Sequence, residues 1–132
     1  MTKENKRVIL VTGASRGVGK GIAEGLAKTD DIIICAARSS SKNATVQQFG
    51  FEIQSSLENT VQKIEQEGAK GIAYSIDLNN YTEILELANY VKEEFGQLDL
   101  LVHAACQIHD DLVEPKPYWE KSIDLWSVMD VG

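Results

Sequence analysis

The sequence has few cysteines and no long apolar run. Two cysteines, Cys35 and Cys106, are too few for the disulfide framework of a small secreted protein, and Cys35 lies in an apolar run, as a small core residue would. No run reaches the about 20 apolar residues of a membrane-spanning helix, and residues 1–7 lack the apolar centre of a signal peptide. We therefore expect a cytoplasmic protein with no membrane partner.

An excess of positive charge is also absent. The formal net charge is −7, which argues against nucleic acid as a partner. Residues 1–42 nevertheless hold eight Lys and Arg against four Asp and Glu, whereas residues 43–132 hold five against sixteen. The basic share surrounds a glycine-rich segment and suits a local phosphate site, while the acidic share is best explained as a solvated surface.

That glycine-rich segment is the most informative feature present. Residues 12–19, TGASRGVG, follow the apolar run 8–11 and precede a helix-like segment, 18–28. In such a turn the backbone can approach a pyrophosphate, and the helix N-terminus offers unpaired N–H donors. The alternative is a tight turn that binds nothing. We favour the phosphate site because the strand, the turn and the helix agree with one another.

Strands and helices are predicted to alternate along the chain. Apolar runs predict four strands, at residues 7–11, 32–36, 71–76 and 98–102. Helices are predicted at 18–28, from a capping box at Ser55 to Glu58 as far as Gly68, along the apolar stripe 84–95 closed by Gly96, and at 122–131. Residues 39–54 are interpreted as a long polar connection with no clear period.

This alternation predicts an α/β fold, a Rossmann-type doubly wound parallel sheet with helices on both faces. The strand order would be 3-2-1-4 with the later strands absent, so the sheet would be incomplete. The first and fourth strands would flank the ligand crevice. The glycine turn and residues 103–106 would then meet at the carboxyl edge of the sheet.

The same residues resemble the short-chain dehydrogenase/reductase family. The resemblance rests on residues 12–19, on Cys35 to Arg38, on the pair Asp77-Leu78 and on the strand 98–102, and it runs from about residue 7 to 132. The ending Val131-Gly132 is similar to members that carry V-G where most carry V-N.

The resemblance implies a dinucleotide site on the first four strands. Asp77 would bind the adenine amino group and Leu78 would lie against the adenine ring, although Asp77 could instead be a loop-entry residue and Leu78 a core residue. The small residues 104 and 105 would allow close approach to the ribose. The cofactor-binding residues are expected to be Gly13, Ser15, Arg16, Gly17, Val18, Gly19, Arg38, Asp77, Leu78, His103, Ala104 and Ala105.

The absence of an acid at the end of the second strand predicts NADP rather than NAD. NAD-binding proteins usually place an acid there for the ribose 2′-hydroxyl, whereas this chain has Ala36, Ala37 and Arg38. Arg38 can bind a 2′-phosphate through two parallel hydrogen bonds, and Arg16 adds a second positive charge. The alternative is that both arginines are merely exposed.

The chain departs from the family pattern after the fourth strand. The family usually has N-N-A-G, and this chain has residues 103–106, HAAC, which puts the side-chain bracing of that strand in doubt. Cys106 would crowd the nicotinamide side or present a thiol there. His103, Cys106 and His109 recur every three residues, but no fourth ligand is apparent, and we expect no metal site.

The catalytic pattern of the family is also missing. The resemblance leads us to expect a Ser and a Tyr-x-x-x-Lys pair, yet none of the four tyrosines, Tyr74, Tyr81, Tyr90 and Tyr118, precedes a lysine by four residues. A phenol with a pKa of about 10 needs such a neighbour to act as a base at neutral pH. We therefore expect no catalytic residue here and an inactive chain on its own.

Residues 1–132 are expected to form a single NADP-binding domain that is truncated at its C-terminus. The fourth strand would then be an exposed edge, so the chain alone should be marginally stable or prone to aggregate. The full-length oxidoreductase would transfer hydride to or from a carbonyl or alcohol substrate and form a homo-oligomer. The alternative is a non-catalytic nucleotide-binding or interaction module.

Overall fold

A computed structural model of the chain describes residues 6–28, 30–38, 45–48, 50–106 and 114–125. In chain order its elements are β1 (Val8–Thr12), α1 (Gly17–Leu26), β2 (Ile32–Ala37), β3 (Thr45–Gln48), β4 (Phe51–Gln54), α2 (Leu57–Gln66), β5 (Lys70–Ser75), α3 (Tyr81–Phe95), β6 (Leu100–His103) and a short 3-10 helix, Tyr118–Glu120.

Four parallel strands form the main sheet, in the order β5-β2-β1-β6. β1 is central: Thr12 pairs with Ala36 of β2 on one side and with His103 of β6 on the other. The carboxyl ends of β1, β2 and β6 therefore lie along one edge of the sheet. This arrangement confirms the predicted Rossmann-type fold and its order 3-2-1-4, once the hairpin β3–β4 is counted separately.

Both faces of the sheet are covered at β1 and β2, which explains why these strands are apolar throughout. Alternate residues of each strand point to opposite faces. One face packs under α1 and α2, with the buried residues Ile9, Val11, Ala23, Ile33, Cys35, Leu57 and Ile64. The other packs under α3, with the buried residues Val8, Leu10, Ile34, Ala36, Leu87 and Val91.

Cys35 is a core residue, as the sequence predicts. Its side chain is fully buried on the face covered by α1 and α2. Burial raises the pKa of the thiol to about 12, and the charge of Glu24 adds to the effect. The thiol is therefore protonated at neutral pH and packs as a small apolar side chain.

The start of α2 differs from the predicted capping box. Ser56, not Ser55, is the N-cap, and its hydroxyl accepts a hydrogen bond from the Asn59 N–H at 3.2 Å. Ser55 is unavailable because its hydroxyl is hydrogen-bonded to that of Ser15, at 2.9 Å. The predicted helix ends are close to those observed, since Gly68 and Gly96 follow α2 and α3 with φ of +100° and +69°.

Residues 39–54, in which the sequence shows a long polar connection with no clear period, contain two strands in their second half. β3 and β4 form an antiparallel hairpin in which Thr45 pairs with Gln54 and Gln48 with Phe51. The hairpin is a separate two-stranded sheet, and along the chain it comes between β2 and α2. Four-residue strands with few apolar residues give too weak an alternation to be recognised in the sequence. Residues 39–44 lie outside the described part of the chain.

Two further expectations concern the end of the chain and the membrane. The predicted helix 122–131 lies outside the described residues from position 126 onward, as do Val131 and Gly132. Across the described segments, none of the helices is both long enough and apolar enough to cross a bilayer.

Candidate nucleotide-binding site

The glycine turn joins β1 to α1 as predicted. Arg16 is the N-cap of α1 and has extended backbone, whereas Gly13 and Gly17 have φ of +69° and +59°, values that favour glycine. The first turn of α1 contains no acidic side chain, and no side-chain hydrogen bond caps it within the described chain. The positive end of the helix is therefore left for an external anion.

Close packing explains two of the three glycines. A Cβ on Gly19 would lie 2.1 Å from the Gly13 carbonyl oxygen, and one on Gly13 would lie 2.7 Å from the Ala105 Cα. Gly17 differs, because a Cβ there would meet nothing within 4 Å. The positive φ at position 17 favours glycine there, and the space beside Gly17 is open.

Arg16 has a buried polar atom that needs a partner. Its Nη1 is buried, and within the described residues no hydrogen-bond partner reaches it. A buried unsatisfied donor costs about 1–3 kcal/mol, and more when it is charged. The Arg16 guanidinium therefore has an unused donor beside the glycine turn, which is compatible with the phosphate group that the sequence predicts.

Arg38 directly follows the neighbouring strand, β2, at the same edge of the sheet. It comes two residues after Ala36, which pairs with Thr12, and its side chain is exposed. Its carbonyl oxygen accepts a hydrogen bond from the Ser75 hydroxyl at 3.1 Å, which ties the end of β2 to that of β5. No acidic residue occupies the end of β2.

Asp77 and Leu78 follow β5 at this edge, and both are half-buried. An Asp77 carboxylate oxygen accepts from the Asn79 N–H at 3.0 Å, and the Asp77 N–H donates to Glu83 at 3.3 Å. Leu78 packs against the core under α3. Asp77 thus has the local contacts of a loop-entry residue, and Leu78 has the packing of a core residue. Both residues also lie at the edge of the sheet where the sequence predicts the nucleotide.

The His103 side chain braces the end of β6 against β1. The sequence puts such side-chain bracing in doubt, because the asparagines usual in the family are missing. The His103 Nδ1 lies 2.8 Å from the Thr12 hydroxyl, and the Ala105 N–H donates to the same hydroxyl at 3.2 Å. Cys106 is exposed, and His109 lies outside the described residues. The described ranges hold no group of three or more His, Cys, Asp or Glu side chains suited to a metal ion.

Sequence reasoning missed the residues that support the turn from α2. The Ser56 N–H donates to the Ser15 carbonyl at 3.0 Å, and the Thr60 hydroxyl donates to the Ala14 carbonyl at 2.8 Å. The Ser15 and Ser55 hydroxyls complete this set. These pairs are 40 to 46 residues apart in sequence, and no local pattern indicates them. They satisfy the polar groups of residues 14 and 15 from behind the cradle.

The fold and the cradle define the class of the protein. A glycine turn between the central strand of a parallel sheet and a helix, with β6 beside it, is the arrangement of Rossmann-type nucleotide-binding domains. The sequence model of the short chain dehydrogenase family matches residues 7–127. The chain belongs to this family.

Curated relatives agree with this assignment. The 3-oxoacyl-acyl-carrier-protein reductase FabG of Buchnera aphidicola subsp. Baizongia pistaciae is 32% identical over 111 residues, covering 84% of this chain and 39% of that protein. The ketoacyl reductase HetN of a Nostoc species is 31% identical over 105 residues, covering 80% of this chain and 32% of that protein. The chain therefore spans less than half the length of either relative.

Solved structures have the same fold. The chain aligns with a 3-oxoacyl-acyl-carrier-protein reductase from Brucella melitensis, in complex with NAD, at a TM-score of 0.69 and 25% identity, covering 96% of this chain and 43% of that one. An NADH-dependent reductase complexed with NAD aligns at a TM-score of 0.65 and 20% identity, covering 99% and 48%. The second likeness shows the fold alone.

Proposed function

We propose that this chain is the cofactor-binding part of an NADP(H)-dependent oxidoreductase that acts on a carbonyl or alcohol substrate. The observation that carries the proposal is the buried, unpaired Nη1 of Arg16 at the uncapped start of α1. A helix N-terminus and a guanidinium together favour a phosphate group. Family membership and the likeness to NAD-bound structures support the same site.

The choice of NADP(H) over NAD(H) rests on charge. The end of β2 carries Arg38 where an acid would repel a 2′-phosphate, and Arg16 adds a second cation on the neighbouring turn. The similar Brucella melitensis reductase structure holds NAD, which makes the non-phosphorylated nucleotide the competing candidate. The two nucleotides differ only at the group that Arg38 is proposed to bind.

The chain's own residues are proposed to bind and orient the dinucleotide. Gly13, Gly17 and Gly19 shape the pyrophosphate cradle, and Ser15 and Val18 complete its wall. Asp77 and Leu78 receive the adenine, while His103, Ala104 and Ala105 lie along the path to the nicotinamide. The bound nicotinamide supplies or accepts the hydride. We assign no residue of this chain to moving the substrate proton. In the longer relatives that role is proposed to belong to the part that this chain does not cover.

Nucleotide titrations of the wild type and of Arg38→Ala test the proposal. We expect the wild type to bind NADPH more tightly than NADH. Arg38→Ala should weaken NADPH binding by at least about tenfold, because a hydrogen bond to a charged group contributes about 1.5–3 kcal/mol. NADH affinity should stay the same. Lys63→Ala, an exposed cation on α2, is the matched control.

Tighter binding of NADH by the wild type would overturn the choice of cofactor. The second candidate function is a non-catalytic nucleotide-binding or interaction module, favoured by the lack of a Tyr-x-x-x-Lys pair in the sequence. A downstream Ser and Tyr-x-x-x-Lys in the reading frame after Gly132 would support the oxidoreductase, and a stop codon there would support the module. Hydride transfer by the 132-residue chain alone would contradict the proposal that these residues bind the dinucleotide but lack the groups that move the substrate proton.

A further inference from the structure

The hydroxyl of Thr12 is held by two partners from the end of β6. The Ala105 backbone N–H lies 3.2 Å from Oγ1, and the Nδ1 of the His103 ring lies 2.8 Å from it. Thr12 is only 4% exposed, so solvent does not supply an alternative acceptor. Within the described chain, the structure gives this hydroxyl no other hydrogen bond.

One arrangement of hydrogens gives all three of these groups a hydrogen-bond partner. The Ala105 amide is a donor, so the Thr12 oxygen accepts from it. The single hydrogen of the hydroxyl then needs an acceptor, and Nδ1 of His103 is the atom within reach. An imidazole nitrogen accepts only when it carries no hydrogen, which places the ring hydrogen on Nε2.

We propose that His103 is a positioning residue for the nucleotide cradle. Its ring, with the hydrogen on Nε2 and a bare Nδ1, accepts from Thr12 and thereby orients the Thr12 oxygen toward the Ala105 N–H. This role goes beyond the proposed binding of NADP(H), although its effect on affinity rests on that function. It also accounts for a histidine at a position where the family resemblance leads one to expect asparagine.

The path from His103 to the cradle runs through backbone contacts. Ala105 lies directly against Gly13, because a Cβ on Gly13 would come within 2.7 Å of the Ala105 Cα. Gly13 lies in turn against Gly19 in the first turn of α1, where a Cβ would come within 2.1 Å of the Gly13 oxygen. Closely packed backbone has little free volume to absorb a shift. A change at Ala105 therefore moves the turn.

The ring tautomer is measured first, in the wild type. Nitrogen-15 NMR of the histidine rings at neutral pH should show His103 with a hydrogen on Nε2 and a bare Nδ1. This measurement needs no nucleotide and no substitution. A hydrogen on Nδ1, or rapid averaging of the two tautomers, would overturn the proposal.

Substitutions then separate positioning from simple packing. His103→Ala removes the ring that contacts the Thr12 hydroxyl, and since His103 is exposed, water can take its place. We expect about two- to tenfold weaker nucleotide binding with a shifted Gly13 amide resonance. His103→Asn offers an amide oxygen near the position of Nδ1 and should restore both. Leu101→Ala, two residues earlier on β6 and exposed, is the control that leaves both unchanged.

A double substitution tests the link through Thr12. In a Thr12→Val background the hydroxyl is gone, so His103→Ala should have no further effect on affinity or on the Gly13 amide. An equal loss in both backgrounds would overturn the proposal, as would wild-type behaviour of His103→Ala. If the wild type binds neither nucleotide, the proposed function fails on its own. The tautomer and the Gly13 resonance then still decide the role of His103.

Discussion

Ala105 and Gly13 are in backbone contact, so that a methyl group on Gly13 would lie 2.7 Å from the Ala105 Cα. The contact joins the end of β6 to the start of the glycine turn. The glycine turn is therefore shaped by both β1 and β6, which pair side by side with Thr12 opposite His103. The shape of the phosphate site thus depends on residues about 90 positions apart in the chain, as the Thr12–Ala105 hydrogen bond also shows.

Replacing Gly13 by alanine should damage both folding and binding. The backbone angle of +69° and the contact with Ala105 each oppose a side chain, and we expect a loss of at least about 2 kcal/mol in the free energy of unfolding. Nucleotide binding should be lost as well. Urea unfolding and nucleotide titration measure the two effects.

Gly21→Ala is the matched control for this substitution. Gly21 lies within α1, and a Cβ there would meet nothing within 4 Å. Alanine should therefore stabilise the helix by about 0.5–1 kcal/mol. Equal effects at the two positions would contradict the close contact described for Gly13.

Thr60→Val should destabilise the protein by about 1–3 kcal/mol, because it removes the donor to the buried Ala14 carbonyl without changing the side-chain shape. The affinity for nucleotide should fall too, since residues 14 and 15 belong to the turn. Urea unfolding with paired titrations measures both. Thr82→Val, on the exposed start of α3, should change stability by no more than about 0.5 kcal/mol. An unchanged Thr60→Val protein would show that α2 does not support the turn.

We expect Asp99 to contribute to the acid sensitivity of the protein. The Val8 N–H donates to its carboxylate at 2.7 Å and the Gln97 side chain at 2.8 Å, and these bonds lower the Asp99 pKa below its ordinary value of 3.8. A pKa lowered by folding contributes stability that is complete above the unfolded value. That stability is lost as the pH falls through the folded value. We expect the loss to begin near pH 4 and to continue below it.

Asp99→Asn tests this dependence. The variant should lose stability at neutral pH and show a flatter dependence of stability on pH between about 5 and 2. Denaturant unfolding at a series of pH values measures it. Glu93→Gln, an exposed carboxylate on α3, should keep the wild-type slope. A wild-type slope in Asp99→Asn would show that other groups carry the acid sensitivity.

The outer side of β6 should make the isolated chain associate with itself. Within the described residues β6 pairs only with β1, and Leu101 is 55% exposed. An unpaired strand edge with an exposed leucine favours pairing with another chain. Leu101→Lys should therefore raise the monomer fraction in sedimentation velocity experiments. Leu85→Lys, on the exposed face of α3, should not. Cooperative unfolding of a wild-type monomer at a high midpoint would contradict the expectation.

The main sheet was predictable because its signals are local. The apolar runs of β1 and β2 and the glycine turn each lie within a few consecutive residues, and their order along the chain implies the sheet topology. The ends of α2 and α3 were readable from Gly68 and Gly96. The hairpin β3–β4 was not predictable, because four residues per strand are too few to establish a period, even though β4 alternates apolar and polar residues.

The candidate site was also predictable only in part. The sequence singled out Arg16 and Arg38 by type and position, yet only the structure shows a buried, unpaired nitrogen at Arg16. Ser55 was predicted as the cap of α2, and its neighbour Ser56 has that role. The difference arises because Ser55 binds Ser15, which is 40 residues away in sequence.

The sequence by itself determined the Rossmann-type fold, the family and the place of the glycine turn between β1 and α1. Each of these follows from residue types at short spacing, whose backbone preferences and periodicity act locally. The tertiary structure alone decided which side chains support the cradle, namely Thr60 from α2 and His103 from β6. Hydrogen bonds between distant segments exist only after the sheet has brought those segments together, so no local pattern encodes them.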